Sequence, residues 1–186
     1  IWEDLCNQKN IRIHDDFFSL GGHSIMAVRL MARLRDDFDK NFPIGMLFEN
    51  STIEKLAAAI DSNTEYHWRS LVKLNGDVGN KYPEQDSTAL KNLFCIPGGG
   101  GNIMYLHELC TALGNDINVY GLQAKGLDGK STPHQTIEEA ARHYINEIKS
   151  VQGTGPYHIA GHSFGGKIAF EIANQLLQQG DAPGVL

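Results

Sequence analysis

The stretch Tyr157-His158-Ile159-Ala160-Gly161-His162-Ser163-Phe164-Gly165-Gly166-Lys167 decides how this chain folds. Its first four residues read as a buried strand, and the apolar spacing from Phe164 to Gln179 reads as a helix. Between them Gly161, Ser163 and Gly165 fit G-x-S-x-G, a motif that requires a strand before it and a helix after it. The turn is sharp, so a side chain at either glycine would collide with the neighbouring strand or helix. Such a turn pushes Ser163 Oγ out above the sheet. The Phe164 N–H then points toward a developing oxyanion, aided by the positive end of the helix. A rival fits less well. Gly161-x-x-x-x-Gly166-Lys167 matches a phosphate-binding loop up to its last position, where Ile168 stands in place of the Ser or Thr that must ligand Mg²⁺.

Outward from this turn the chain keeps alternating. Residues 93–96 form a compact apolar strand that ends in Pro97-Gly98-Gly99-Gly100-Gly101, and residues 102–113 read as a helix. Residues 118–122 give a second strand and residues 124–135 a loop. Thr136 caps a helix through Ile137, Ala140, Ala141, Tyr144, Ile145 and Ile148. Gly184-Val185-Leu186 open a fourth strand. Strand–helix alternation implies a parallel, doubly wound α/β sheet. The glycine loop stands where a second oxyanion donor is needed, and Gly99 is the expected N–H. A flexible turn or a phosphate cradle are the other readings of this loop, but it lacks both nucleotide-binding fingerprints.

Residues 64–91 are mixed and polar, with Asn75-Gly76-Asp77 and Tyr82-Pro83-Glu84, and read as a linker holding one short strand at 71–74. Residues 1–63 follow a helical grammar. Residues 1–6 look like the end of a helix that starts earlier. Ser24 opens a helix on which Ala27, Leu30, Met31, Leu34 and Phe38 share a face. Pro43 starts a short turn through Leu47 and Phe48, and Ser51-Thr52-Ile53-Glu54 caps a last helix through Leu56, Ala57 and Ile60. Within Asp16-Phe17-Phe18-Ser19-Leu20-Gly21-Gly22-His23-Ser24-Ile25-Met26, the glycines allow a tight turn and Ser24 takes the N-cap, where the helix dipole favours a phosphate. An ordinary capping serine is the plain reading of that position.

Composition narrows the classes. The chain has 186 residues, 41% of them hydrophobic and 20% charged, enough to bury a core. Its net charge of −6, shared evenly by the two regions, argues against nucleic acid or an anionic membrane as partner. No run of 18 apolar residues occurs, and residues 1–5 carry no basic signal-peptide start. Three cysteines (Cys6, Cys95 and Cys110) form no CxxC, which argues against a zinc site or disulfide framework and for a reduced, cytoplasmic setting. Cys95 and Cys110 read as small core residues, and Glu138-Glu139 as dipole-favouring residues at a helix start.

The string Asp-x-Phe-Phe-x-Leu-Gly-Gly-His-Ser resembles the modification site of peptidyl carrier domains in nonribosomal peptide synthetases. The resemblance implies that Ser24 carries 4′-phosphopantetheine, whose thiol holds a peptidyl or acyl group as a thioester. It also implies a phosphopantetheinyl transferase and upstream adenylation and condensation domains as partners, and a docking role for Ile25 and Met26 if they stay exposed. The G-x-S-x-G half resembles the type I thioesterase, an α/β-hydrolase, that follows the last carrier. That implies Ser163 as nucleophile, with Phe164 and Gly99 as oxyanion-hole amides, no metal, and product release by hydrolysis or cyclisation. The domains would be a carrier over 1–63, a linker and first strand over 64–91, and the N-terminal part of a thioesterase over 92–186.

One departure stands out. The family order is Ser, then acid, then His, with the acid just after the next strand. His107, His134, His143, His158 and His162 lie before or beside Ser163, and Asp181 precedes the strand as an expected solvated loop residue. The expectation is therefore a fragment without its triad acid and base. Two other functions compete: a carrier with an inert hydrolase-like appendage used only for docking, and a nucleotide-binding α/β domain.

Overall fold

Apolar residues three and four apart make the first unit helical. The computed structural model describes residues 1–62, 68–75, 91–114 and 116–185, and the chain divides into two units, Ile1–Trp68 and Arg69–Leu186. The first holds α1 (Trp2–Cys6), α2 (Ser24–Phe38), α3 (Met46–Glu49) and α4 (Ile53–Asp61). Helix α2 buries Ala27, Leu30, Met31 and Leu34. Phe38 does not join them. It lies in the last turn, where the chain leaves through Asp39 at φ 52°, and it is 47% exposed. Thr52 caps α4 by accepting the Lys55 N–H at 3.2 Å, and Leu56 and Ile60 face the core.

The second unit holds β1 (Leu71–Lys73), β2 (Lys91–Ile96), α5 (Leu106–Leu113), β3 (Ile117–Leu122), α6 (Ile137–Val151), β4 (Tyr157–Gly161), α7 (Phe164–Gln178) and β5 (Pro183–Val185). The strand order is β1-β3-β2-β4-β5. Strands β3, β2, β4 and β5 run parallel, as strand–helix alternation requires. The sheet is nevertheless mixed, because β1 pairs antiparallel with β3 along Leu71↔Leu122 and Lys73↔Tyr120. Alternation of side chains gives each face its own cover. Phe94, Ile96, Tyr120, Leu122, Tyr157 and Ile159 pack with α6 and α7 on one face. On the other, Gly121 lies under Ile103 and Leu74, so close that a Cβ there would come within 2.9 Å of Ile103 Cγ2.

That contact explains why α5 begins at Leu106 and not at 102. Ile103 is fully buried, and the Asn102 carboxamide oxygen takes the Met104 N–H at 2.7 Å. Tight turns (Leu106 N–H to Ile103, His107 N–H to Met104) then lead into the helix. Helix α6 starts with a reciprocal cap: Thr136 accepts the Glu139 N–H, and the Glu139 carboxylate accepts the Gln135 N–H. Of the expected linker, residues 69–75 belong to the second unit. The Asn75 amide donates to Gly114 and Ile117 carbonyls and its oxygen accepts the Val119 N–H at 2.7 Å. Residues 64–67 and 76–90, including the two expected turns at 76–77 and 82–84, lie outside the described residues.

Candidate active and modification sites

Ser163 stands between β4 and α7 with φ 53° and ψ −117°, a backbone conformation that L side chains rarely adopt. Two glycines make the turn fit. A Cβ on Gly161 would come within 2.5 Å of the Gly165 carbonyl oxygen, and one on Gly165 would overlap the carbonyl oxygens of Ile96 and Pro97. The turn is tied down by backbone bonds: His162 N–H donates to Ile96, Gly165 N–H to His162 and Gly166 N–H to Ser163. Phe164 is the first helical residue, so its N–H has no acceptor within α7. The 15-residue length of α7 gives that end its full positive partial charge. Ile168, where a phosphate loop needs a hydroxyl, is instead buried in the core.

The glycine loop lies against this turn. A Cβ on Gly98 would sit 3.2 Å from His162 Nδ1 and 3.6 Å from Ser163 Cβ. The Gly98 N–H donates to the Tyr105 hydroxyl at 3.1 Å, and that hydroxyl is 3.2 Å from His162 Nδ1. At Gly99 the space around a Cβ is open. The far end of the loop is pinned by the Ala124 N–H, which donates to the Gly101 carbonyl at 2.9 Å. Tyr105 belongs to no motif in the sequence. Only the fold brings it to the elbow.

Several other titratable groups have partners away from Ser163. His143 Nε2 bonds the buried Ser70 hydroxyl at 2.9 Å and lies 3.9 Å from Glu147. Both partners use one nitrogen, so this is not a relay through the ring. Burial lowers the pKa of His143 and of its neighbour His134, and raises that of Glu147. His158, on β4, packs beside Gly184 of β5. Asp181 is not simply solvated: its carboxylate pairs with Lys149 at 2.6 Å. Among the described residues no histidine hydrogen-bonds Ser163. Cys95 and Cys110 are buried, which pushes their thiols up to about 12 and about 11, out of the reactive range.

In the first unit the residues around Ser24 explain its motif one by one. The Asp16 carboxylate accepts the N–H groups of Phe18 and Ser19, closing the loop on itself. Phe17 is fully buried, edge-on to Trp2, and Phe18 stacks on Phe48. Gly22 rests on Phe17, where any Cβ would overlap the ring and the carbonyl, and Gly21 turns the chain at φ 85°. Ser24 itself departs from the expectation of an N-cap. His23 is the extended cap residue and its carbonyl accepts the Ala27 N–H, which leaves Ser24 as the first helical residue. The Ser24 hydroxyl is half-exposed and takes no part in capping. Ile25 is 60% exposed, and Met26 is half-buried. This setting suits a phosphodiester-linked arm: an uncommitted hydroxyl at the start of a 15-residue helix with no acidic side chain in its first turn.

Comparison with known proteins finds one family for each unit. A model of the thioesterase domain matches residues 91–186, and one of the phosphopantetheine attachment site matches residues 1–60. Indigoidine synthase of Streptomyces lavendulae is 35% identical over 181 residues, covering 97% of this chain and 13% of its own. A dimodular nonribosomal peptide synthase of Bacillus subtilis (strain 168) is 33% identical over 186 residues, covering 100% of this chain and 7% of its own. Among solved structures, the holo form of a four-domain nonribosomal peptide synthetase bound to AMP and glycine aligns with a TM-score of 0.52 and 32% identity. That alignment covers 98% of this chain and 13% of the other. The chain thus spans a small part of the length of the relatives it matches.

Proposed function

The chain belongs to the thioesterase domain family, with a phosphopantetheine attachment domain ahead of it as in nonribosomal peptide synthetases; from that premise we propose that Ser24 carries an acyl or peptidyl group and that Ser163 releases it. The observation that carries this reading is the positive-φ serine at the strand–helix turn, in the same chain as a helix-start serine whose hydroxyl is uncommitted. The carrier falls within residues 1–63 and the N-terminal part of the thioesterase within 92–186; of the stretch 64–91 between them, residues 69–75 and Lys91 belong with the second unit.

Ser24 is the attachment residue, and 4′-phosphopantetheine, when attached, supplies a thiol that holds the acyl group as a thioester. The N–H groups of the first turn of α2 favour the phosphodiester. Ser163 Oγ attacks the acyl carbonyl and gives its proton to a general base. The Phe164 N–H stabilises the oxyanion, together with one from the glycine loop. In that loop Gly99 is the donor expected from sequence, and Gly98 is the residue held beside Ser163. Collapse expels a thiol, which takes back the proton, and leaves an ester on Ser163. Water or a nucleophile within the acyl chain then opens the ester, giving an acid or a macrocycle. Among the described residues no histidine bonds Ser163, so the acid and base of the relay are sought outside them.

Adenylation and condensation domains and a phosphopantetheinyl transferase are the partners this reading calls for. Three free cysteines support the reading of a reducing, cytoplasmic compartment. No described helix is long and apolar enough to cross a membrane. The test is intact mass after incubation with CoA, Mg²⁺ and a broad-specificity phosphopantetheinyl transferase. A gain of one phosphopantetheine, absent in Ser24→Ala, is expected. No gain on folded protein would sink the carrier reading.

A further inference from the structure

Three groups from three separate segments meet beside Ser163. The Gly98 N–H donates to Tyr105 Oη at 3.1 Å, and the same hydroxyl lies 3.2 Å from His162 Nδ1. The rings of Tyr105 and His162 meet edge-on, with centroids 5.4 Å apart. Since Gly98 donates, the hydroxyl oxygen is the acceptor there, and its own proton is available for His162 Nδ1. The Tyr105 hydroxyl thus bridges Gly98 and His162, its bond to Nδ1 running in the direction that the His162 tautomer sets.

The loop it holds has little else to hold it. Pro97-Gly98-Gly99-Gly100-Gly101 contributes no side chain beyond the proline ring, and four consecutive glycines are entropically costly to fix. At one end the Ala124 N–H bonds Gly101, and the Gly101 N–H bonds back to Gly98 within the loop. At the other end the tie to the serine turn is the Tyr105 hydroxyl. An oxyanion hole stabilises charge only if its donors are fixed before the reaction, close to their working distance of about 2.7–3.1 Å from the developing oxygen.

We infer that Tyr105 is a positioning residue for acyl transfer: its hydroxyl, bridging Gly98 and His162, sets the glycine loop at its working distance from Ser163. The inference rests on the proposed thioesterase reading. Tyr105 touches neither the acyl group nor Ser163 in this role, and it acts through the loop.

The test uses the protein at its full natural length, with hydrolysis of an octanoyl-N-acetylcysteamine thioester as probe. Tyr105→Phe, which keeps the ring and loses only the hydroxyl, is expected to lower kcat roughly 10- to 100-fold with KM little changed. His162→Ala should give a similar loss. His162→Asn, whose amide oxygen can stand near the Nδ1 position, should recover most of it. Tyr105→Phe combined with His162→Ala should be no worse than either alone, since both cut one link. Independently of turnover, the Gly98 amide proton should exchange with solvent more slowly than that of Gly99, and Tyr105→Phe should abolish the difference. Wild-type kcat in Tyr105→Phe, with Ser163→Ala inactive, overturns the inference and leaves the thioesterase reading standing. Equal exchange at Gly98 and Gly99 in the wild type overturns it too. If the wild type neither turns over nor is labelled at Ser163 by a fluorophosphonate, both the inference and the reading it rests on fall.

Discussion

Two serines begin two 15-residue helices, each beside a pair of glycines, and their backbones differ completely. Ser24 is an ordinary first residue of α2, capped by an extended His23. Ser163 precedes α7 at φ 53° and ψ −117°, held there by close packing at Gly161 and Gly165. The difference suits the chemistry proposed for each. A carrier serine is modified once by another enzyme, so it needs only an accessible hydroxyl and a helix end that tolerates phosphate. A nucleophile must be raised above its sheet and aimed between fixed N–H groups, and that position is bought with backbone strain of about 1–3 kcal/mol.

The largest expected effect separates the two serines by function. Ser163→Ala should lower release of a loaded acyl group by about ten-thousand-fold or more, while loading of Ser24 continues normally. Unchanged release, measured as product formed per loaded chain, would reduce the second unit to a docking appendage.

The glycines come next. Gly165→Ala forces a Cβ into the carbonyls of Ile96 and Pro97, backbone atoms that cannot step aside. It should destabilise the second unit by about 3 kcal/mol, read from urea denaturation. Gly21→Ala in the carrier meets open space but keeps φ 85°, so its cost should stay near 1 kcal/mol. Equal costs would mean that packing at the elbow is looser than the structure shows.

Glycine at the serines themselves should act with opposite signs. Ser163→Gly relieves the strained φ and should stabilise the second unit by about 1 kcal/mol relative to Ser163→Ala. Ser24→Gly puts glycine into a regular helix and should destabilise the first unit by a few tenths of a kcal/mol, up to about 1. The same sign at both positions would remove the contrast.

The smallest effect concerns pH. Burial holds His143 and His134 below their ordinary value. Below about pH 6.5 the unfolded chain therefore binds protons that the folded unit does not, and stability is lost as the pH falls through that window. Glu147, raised by its burial, acts in the opposite sense and makes the net slope shallow. The thermal midpoint of the second unit should drop by a few degrees from pH 7.5 to 5.5. His143→Gln, which keeps an amide for Ser70, should flatten that decline. A steeper decline in the variant would show that His143 is not the group responsible.

Much of this was legible in the sequence because it is local. G-x-S-x-G fixes a turn through contacts a few residues apart, and Asp16, Phe17, Phe18 and Gly22 shape the Ser24 loop among near neighbours. Period-two and period-3.6 apolar spacing marked the strands and helices, since each buries one face or stripe. Apart from the cap at His23 and the exposed Phe38 at the end of α2, what the sequence missed was non-local. The direction of β1 depends on its register with β3, more than forty residues away, and the late start of α5 depends on Ile103 packing over Gly121. Asp181 meets Lys149 only because α6 runs past the end of α7. The Tyr105–His162 bridge is the strongest case, since two side chains 57 positions apart meet only when β2 and β4 pair side by side. The sequence by itself therefore marked the two serines for which roles are proposed, each at the start of a helix. Only the tertiary structure decided what surrounds them, because distances between distant segments are set by sheet pairing and close packing, which no local pattern encodes.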